Sequence, residues 1–347
     1  MKFCWWTPGP NAHETALLDA LRALGHDVEV CYFHGKYGEY RLQLGWRDPE
    51  LQPWEHYVST LRDARRTIPD FNGRIQMVPT FFNLTSWKLL LWCTLRGRPW
   101  FAITEGTRGR WFMKPLFRTF CWFVNRYALK MFVEGGPTAQ RQFIRFGVKA
   151  SKVVPFAYAT MIPRPAVPSA PSAVPNLPTT FVFAGEFCPR KAVDVIASCW
   201  KRLVAEYPAS KLVLAGGGPM IWLFDGLPGV EYMGAVRQED VYGVIMRGDV
   251  MLLPSRYDPW GAALVEGAMA GLAMVGSDRT GSADALVEDG RNGYVVRAGD
   301  ETELLRVMRI YAGNRELAKE HGAAAKRAAA RTTGDVLARR VVEALAR

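Results

Sequence analysis

The sequence lacks several features that would place it in a simple class. None of its hydrophobic runs approaches the roughly 18 uncharged apolar residues that a membrane span needs. The apolar run in the opening MKFCWWTPGP is too short for the core of a signal peptide. The six cysteines are scattered and include no CxxC pair, which argues against a zinc site or a disulfide framework. We therefore expect a protein of a reducing compartment, the cytoplasm, with no membrane-spanning segment.

The composition is that of a soluble globular protein: 347 residues, of which 49% are hydrophobic and 22% charged. This length suggests two domains, at roughly 100–200 residues each. A proline-rich tract at 163–178, PRPAVPSAPSAVPNLP, is typical of an extended linker. Strand and helix signals alternate on both sides of it, so we predict two α/β domains with parallel sheets, 1–162 and 179–334. A C-terminal helix, 335–347, is expected to follow.

The positive charge of the chain is concentrated in its first half. The net charge is +11, and residues 1–160 account for an excess of ten basic over acidic residues. Segment 81–132 contains nine basic residues against Glu105 alone, among many tryptophans and phenylalanines. A basic surface mixed with aromatics suits an anionic membrane or a nucleic acid. No nucleic-acid-binding motif is present, so a membrane contact is favoured, although most of the tryptophans are expected to lie in the core.

The chain opens with a β-α-β pattern. A strand at 2–6 precedes a helix whose start has the capping pair Asn11 and Glu14, and Gly25 ends that helix before the next strand, 28–33. The connecting loop lies at the carboxyl end of the first strand, where open α/β sheets bind ligands. Two residues there are candidates: Gly9, which has no side chain to keep a ligand from the backbone, and His13, a polar side chain that could face a substrate. A histidine in a first helical turn can equally be simply solvated.

The most informative stretch is 252–299. A buried strand there ends in a loop with Asp258, and Pro259 comes just before a helix that contains Glu266. Free backbone N–H groups at a helix start attract phosphate, and Glu266 is near enough to accept hydrogen bonds from ribose hydroxyls. Alternatively, the two acids are a helix-start residue and a solvated helix residue. The N–H groups expected to face the ligand belong to Trp260, Gly261 and Ala262.

This stretch, PSRYDPWGAALVEGAMAG, resembles the signature of the retaining family 4 glycosyltransferases, in which seven residues separate an acid from a glutamate. Asp258 replaces the usual first glutamate, and Trp260 replaces a phenylalanine. The resemblance implies the GT-B fold, two Rossmann-like domains facing each other across a cleft, with the C-terminal helix packing back on the first domain. It covers about 180–330 well. In the first half Glu105 stands near the strand end where family members often have a histidine, so it lies either in the cleft or in a structural ion pair.

The family's diphosphate-clamping loop, G-R-L-x-x-x-K-G, corresponds here to residues 185–192, GEFCPRKA. Gly185 and Lys191 match, but Glu186 stands where the family has an arginine. Arg190 could supply the missing positive charge, or it could be an ordinary exposed residue. The turn LAGGGP, with Gly217 at its centre, resembles a second glycine-rich loop of the family.

The resemblance implies a hexosyltransferase-type enzyme that moves a sugar from a nucleotide sugar to a hydroxyl acceptor with retention. Lys191, Arg190 and the helix start at Gly261 would stabilise the leaving phosphate, Asp258 would bind the donor sugar, and Glu266 the ribose. No cofactor or metal is expected, because no DxD pair stands out. The expected acceptor is a lipid-linked or cell-surface glycan of polysaccharide biosynthesis, handled by a peripheral protein on the inner face of the membrane. The alternatives are a catalytically degenerate nucleotide-sugar-binding protein and a nucleotide-sugar epimerase.

Overall fold

In a computed structural model the chain forms two compact units. The structure describes residues 1–33, 50–79, 84–106, 114–160 and 178–346. The first unit comprises Met1–Met161 and Thr332–Arg347, and the second comprises Ile162–Arg331. Both are built on a parallel sheet with helices, which confirms the predicted α/β class. Apart from Pro178, the predicted linker lies outside the described residues.

The first unit is built on a seven-stranded parallel sheet in the order β3-β2-β1-β4-β5-β6-β7. The order reverses between β1 and β4, so the chain winds outward in both directions from the middle of the sheet. Its strands are β1 (Lys2–Thr7), β2 (Asp27–Tyr32), β3 (Glu55–Tyr57), β4 (Ile75–Val78), β5 (Trp100–Glu105), β6 (Met131–Glu134) and β7 (Val153–Pro155).

The helices of the first unit cover both faces of this sheet. One face, with Trp6 and Trp100, shares a single buried cluster with Leu89, Phe120 and Phe143 from three of the helices. Large aromatic side chains supply much of this burial. The expectation for the tryptophans is met only in part, because among the described ones of this unit three are buried, three half-buried and one exposed. Among the described residues before the linker, the helices are α1 (Ala12–Ala23), α2 (Leu61–Thr67), α3 (Leu84–Leu95), α4 (Lys114–Tyr127) and α5 (Gly136–Arg145).

The predicted capping pair at the start of α1 is confirmed. The Asn11 side chain accepts a hydrogen bond from the backbone N–H of Glu14, at 2.8 Å. The Glu14 carboxylate in turn accepts hydrogen bonds from the side chains of Asn11 and Thr7. Gly25 follows the helix with a φ of +82°, a conformation that glycine adopts without strain. The loop between β1 and α1 is therefore fixed by side-chain contacts.

The second unit contains a six-stranded parallel sheet in the order β10-β9-β8-β11-β12-β13. Here the order reverses between β8 and β11. A crevice forms at such a reversal, because the loops that follow the two strands lead to opposite faces of the sheet. The strands are β8 (Thr180–Ala184), β9 (Lys211–Ala215), β10 (Val230–Tyr232), β11 (Val250–Leu253), β12 (Ala273–Ser277) and β13 (Gly293–Val296).

Within residues 178–346, six helices accompany this second sheet, and a seventh belongs to the first unit. The six are α6 (Val193–Glu206), α7 (Gln238–Ile245), α8 (Ala262–Ala270), α9 (Gly281–Leu286), α10 (Glu301–Gly313) and α11 (Arg315–Ala329), followed by the returning helix α12 (Gly334–Ala346). None of the helices in the described ranges combines the length and apolar character that crossing a bilayer requires.

Helix α12 packs on α1. The contact is close: a Cβ atom added to Gly334 would lie 2.3 Å from the carbonyl oxygen of Ala16. The segment just before α12 is hydrogen-bonded to Thr160, whose backbone N–H donates to the carbonyl of Thr332 at 2.8 Å. The first unit is thus assembled from two separate stretches of the chain.

Candidate functional site

The candidate site of the second unit lies at the reversal in strand order. The loop after β8, residues 185–192, and the loop after β11, residues 254–261, both leave the carboxyl ends of their strands there. Six of the nine second-unit residues predicted from the sequence lie on these two loops. The fold therefore brings together two motifs that are about 65 residues apart in the chain.

The central contact is an ion pair between the two loops. The Nζ atom of Lys191 lies 2.5 Å from Oδ2 of Asp258. The side chains are only 13% and 9% exposed, respectively, so the charges are largely removed from water. A pair of this kind is stable only while both charges are present, because either one alone would be desolvated without compensation.

Arg190 and Glu186 form the outer, more exposed part of the same loop. A guanidinium nitrogen of Arg190 lies 3.8 Å from the Glu186 carboxylate, and another lies 3.8 Å from that of Asp258. Glu186, which stands where the family has an arginine, thus neutralises part of the charge of Arg190. The structure places Arg190 within reach of Asp258, as the hypothesis of a substitute cation requires.

Another ion pair connects the loop after β11 to the start of α6, and no sequence pattern indicated it. Arg256 donates two hydrogen bonds of 2.6 Å to the Asp194 carboxylate at the start of α6. It also donates through its backbone N–H to the carbonyl of Arg190, at 2.9 Å, and through its side chain to that of Pro189. Paired bonds of a planar guanidinium are geometrically specific. Arg256 therefore sets the position of the loop that carries Lys191.

Glycines allow the loops after β8 and β9 to run against each other. A Cβ atom on Gly216 would lie 2.0 Å from the carbonyl oxygen of Gly185. Gly217 accepts a hydrogen bond from the backbone of Phe187 at 2.9 Å. Gly185 and Gly217, both predicted from the sequence, thus lie where these two loops meet, and a Cβ on Gly185 would lie 3.8 Å from Cε of Lys191.

The start of α8 is positioned by the loop after β12. Gly261 has a φ of +87°, and a Cβ there would lie 2.7 Å from the Thr280 side chain. The side chain of Trp260 is buried, and its carbonyl accepts a hydrogen bond of 2.7 Å from the backbone of Ser282. Ala262 is the first residue of α8, so its N–H has no carbonyl partner within the helix. The helix start can therefore offer its N–H groups and positive dipole end to an anion.

Glu266 lies in the second turn of α8, four residues after Ala262. Residues at this spacing share a face of a helix, and both are half-buried while Leu264, Val265 and Ala268 face the core. Glu266 therefore lies on the same face of α8 as Ala262, the first residue of the helix.

The candidates of the first unit occupy the carboxyl end of its own sheet. Gly9 is half-buried in the loop between β1 and α1. The ring of His13 lies 3.1 Å, through Nδ1, from the carbonyl oxygen of Ala159 and is tilted against the ring of Tyr158. His13 therefore has a structural contact with the segment that follows β7, which the sequence could not reveal.

Glu105 ends β5 beside Glu134, its partner in register at the end of β6. Burial raises the pKa of Glu134 well above its usual value, and the nearby carboxylates of Glu105 and Glu14 raise it further. The pKa of Glu14 is raised as well, chiefly by burial. Three carboxyl groups thus lie near one another, yet across the described residues no group of acidic, histidine or cysteine side chains is arranged to hold a metal ion.

Comparisons with known proteins agree with the motif analysis. Residues 178–312 match the family described as Glycosyl transferases group 1. The chain is 25% identical over 151 residues to the sulfoquinovosyl transferase SQD2 of Arabidopsis thaliana, covering 42% of this chain and 29% of that protein. It is 29% identical over 114 residues to the gpi3 subunit of the phosphatidylinositol N-acetylglucosaminyltransferase of Schizosaccharomyces pombe, covering 31% and 25%. The chain thus spans less than a third of the length of either relative.

Solved structures resemble the whole chain. The HepE protein of Anabaena, solved with UDP and glucose, superposes with a TM-score of 0.74 at 16% identity, covering 100% of this chain and 99% of that one. The sucrose-phosphate synthase of Thermosynechococcus elongatus superposes with a TM-score of 0.73 at 15% identity, covering 99% and 98%. These findings confirm the GT-B fold and, for residues 178–312, the resemblance to the glycosyltransferase family.

Proposed function

We propose that this protein is a glycosyltransferase that moves a sugar from a nucleotide sugar to a hydroxyl acceptor with retention of configuration. The observation that carries the proposal is the Lys191–Asp258 pair beside the start of α8. It combines a desolvated cation, an acid and a helix N-terminus at the position where an open α/β sheet binds a nucleotide.

Each residue has a distinct part in the proposed reaction. Lys191, with Arg190 and the N–H groups at the start of α8, binds the diphosphate and stabilises the charge that develops on it as it departs. Glu266 accepts hydrogen bonds from the ribose, and Asp258 from the donor sugar. The acceptor oxygen forms a bond to the anomeric carbon while the bond from that carbon to the phosphate oxygen breaks. The departing phosphate oxygen takes the acceptor proton, so the protein supplies no base.

UDP is the first nucleotide to test, because the HepE protein has been solved with UDP and with UDP-glucose. We infer that the reaction needs no metal, since the diphosphate charge is balanced by Lys191, Arg190 and the dipole of α8. The acceptor we propose is a lipid-linked or cell-surface glycan of polysaccharide biosynthesis, which would bring the protein to the inner face of the membrane as a peripheral enzyme.

Nucleotide binding is tested by a thermal-shift panel of nucleoside diphosphates and their sugars. A ligand at about 100 times its dissociation constant adds roughly 2.7 kcal/mol of stability. Lys191→Ala should remove most of that shift, whereas Lys201→Ala, on the exposed face of α6, should leave it unchanged. An equal shift in both variants would exclude Lys191 from the site.

Catalysis is tested separately, by donor hydrolysis and sugar transfer. The second candidate function, a degenerate nucleotide-sugar-binding protein, is favoured by Glu186 at the position of a clamp arginine. Binding without turnover of any donor would support that candidate. Activity that disappears in EDTA and returns with magnesium or manganese would contradict the metal-independent reaction.

A further inference from the structure

Helix α3 is apolar on both its inner and its outer side. Leu89, Leu90 and Cys93 are buried in the core. Its outer side shows a stripe at the spacing of one helical face, in which the leucines are 68%, 45% and 82% exposed. A helix that is apolar all round is normally buried, so this outer side is unusual for a surface helix. The stripe consists of Leu84, Lys88, Leu91 and Leu95.

Helix α4 presents a second stripe, centred on an exposed tryptophan. Trp122 is 55% exposed and stands between Arg118 and Arg126 on the outer side of the helix. Its ring is in edge contact with Phe123 and Tyr127, at centroid distances of 5.0 and 5.8 Å. Trp122 is therefore held in place by other aromatic rings while most of its indole remains exposed.

The two stripes belong to one surface. Helix α3 joins β4 to β5, and α4 joins β5 to β6, so the two helices follow neighbouring strands of the sheet. Between the helices, the rings of Trp87 and Phe120 are in edge contact, with their centroids 6.4 Å apart. We call the outward residues of both helices the α3–α4 surface. Its members are Leu84, Lys88, Leu91, Leu95, Arg118, Trp122 and Arg126.

The charge of the α3–α4 surface has one sign. Neither helix contains an aspartate or a glutamate. Within the described parts of the chain, Lys88, Arg118 and Arg126 form no ion pair with a carboxylate. A symmetric contact with a second copy would place these cations against themselves, and exposed leucines contribute little to binding a nucleic acid. Cations around leucines and a tryptophan match a bilayer with anionic headgroups above its acyl chains.

We propose that the α3–α4 surface binds the surface of an anionic lipid bilayer. Lys88, Arg118 and Arg126 contact lipid phosphates, Trp122 lies at headgroup depth, and the leucines of α3 enter the boundary of the acyl region. This contact suits the lipid-linked acceptor of the proposed function. It depends only on the first unit, so it stands or falls separately from nucleotide binding at Lys191.

The test is sedimentation of the full-length protein with vesicles of phosphatidylcholine alone or mixed with phosphatidylglycerol. Binding is expected only to the mixed vesicles and is expected to weaken in 0.5 M salt, where charges are screened within a few ångströms. Trp122→Ser should weaken binding by roughly tenfold. The matched control is Trp222→Ser, since Trp222 is a tryptophan of the second unit that is at least as exposed (63%).

Charge is tested with a triple reversal, Lys88→Glu, Arg118→Glu and Arg126→Glu. Each cation near an anionic surface contributes roughly fivefold in affinity, so the loss should be roughly 100-fold or more. Reversal of Lys201, Lys326 and Arg327, exposed on the second unit, changes the net charge equally and should have a much smaller effect. An unchanged unfolding temperature and circular dichroism spectrum would show that each variant is folded.

Four outcomes would overturn the proposal. The first is an absence of vesicle binding by the unaltered protein at low salt, and the second is equal binding to neutral and anionic vesicles. The third is an equal loss of binding in the two triple variants. The last is a dimer that Leu95→Asp dissociates, since the surface would then bind a second copy. A protein that binds vesicles but no nucleotide would refute the proposed function and leave this inference intact.

Discussion

The Lys191–Asp258 pair raises the question of what the lysine contacts before a donor arrives. Without ligand, the charge of Lys191 is satisfied by the carboxylate of Asp258. A diphosphate would have to replace that carboxylate as the ion-pair partner of Lys191. The pair therefore stabilises the free protein and at the same time competes with the donor.

Asp258→Asn should separate these two effects. Leaving one partner of a buried pair uncompensated costs roughly 3 kcal/mol, so the variant should unfold at a lower temperature without nucleotide. UDP has no sugar and supplies the missing negative charge, so its affinity should be equal or higher in the variant. Thermal unfolding and titration calorimetry measure the two quantities, with Asp225→Asn, an exposed acid, as the control. A parallel fall in UDP affinity would mean that Lys191 does not bind the diphosphate.

Glu134 gives a pH-dependent prediction. Its pKa is raised in the folded protein by burial and by Glu105 and Glu14, so the folded state retains a proton that the unfolded chain releases above about pH 4.5. Stability is then lost as the pH rises from that value to the folded pKa. Glu134→Gln should therefore raise the unfolding temperature at pH 8 and change it little at pH 4.

Unfolding temperatures of the unaltered protein and the variant across this pH range measure the effect. Glu343→Gln, an exposed acid on α12 of the same unit, is the control and should change little at either pH. A stabilisation by Glu134→Gln that is the same at pH 4 and pH 8 would exclude this carboxyl group as the cause.

At the scale of elements, glycines determine where helices approach other parts of the chain. Gly334 begins α12 at a place where a Cβ would lie 2.3 Å from the backbone of α1, at Ala16. Gly243, within α7, has no atom within 4 Å of the same position. The two glycines thus differ in packing, although both lie in helices.

Gly334→Ala should destabilise the first unit, because backbone cannot yield as a flexible side chain can, and a loss of about 1–3 kcal/mol is typical of overpacking. Gly243→Ala should stabilise the protein by about 0.5–1 kcal/mol, since alanine favours a helix. Chemical denaturation of both variants measures the difference. Equal stabilisation by the two alanines would show that α12 does not pack closely on α1.

Elements with a local signal could be predicted from the sequence. The strand predicted at 2–6 is present as β1, and α1 has the predicted cap, because burial and capping leave patterns within a few residues. The alternation of strands and helices predicted the parallel sheets, but the reversal between β8 and β11 is known only from the structure. The pair of Arg256 with Asp194 joins residues 62 positions apart, and a contact of that kind leaves no periodicity to detect. The structural contact of His13 with Ala159 was missed for the same reason.

At the scale of the whole molecule, the division into units predicts how the backbone is protected. Residues of one cooperative unit open together, so amide protection of α12 should follow that of α1 and not that of α11, its neighbour in the chain. Hydrogen exchange in increasing denaturant measures this. Bound nucleotide should slow amide hydrogen exchange in the loops 185–192 and 254–261 and should leave the exchange rates of α12 unchanged. Exchange of α12 in step with α11 would contradict the division.

The return of α12 also determines the order in which the protein can be completed on the ribosome. Domains usually fold in the order of their synthesis. Here the whole second unit is made before residues 332–346, which the first unit requires to cover α1. The second unit can therefore close its core while the first, although begun earlier, still exposes an apolar helix face. Of the two units, the one whose synthesis begins earlier is therefore the later to become native, and during that interval its apolar helix face is the surface that chaperones have to protect.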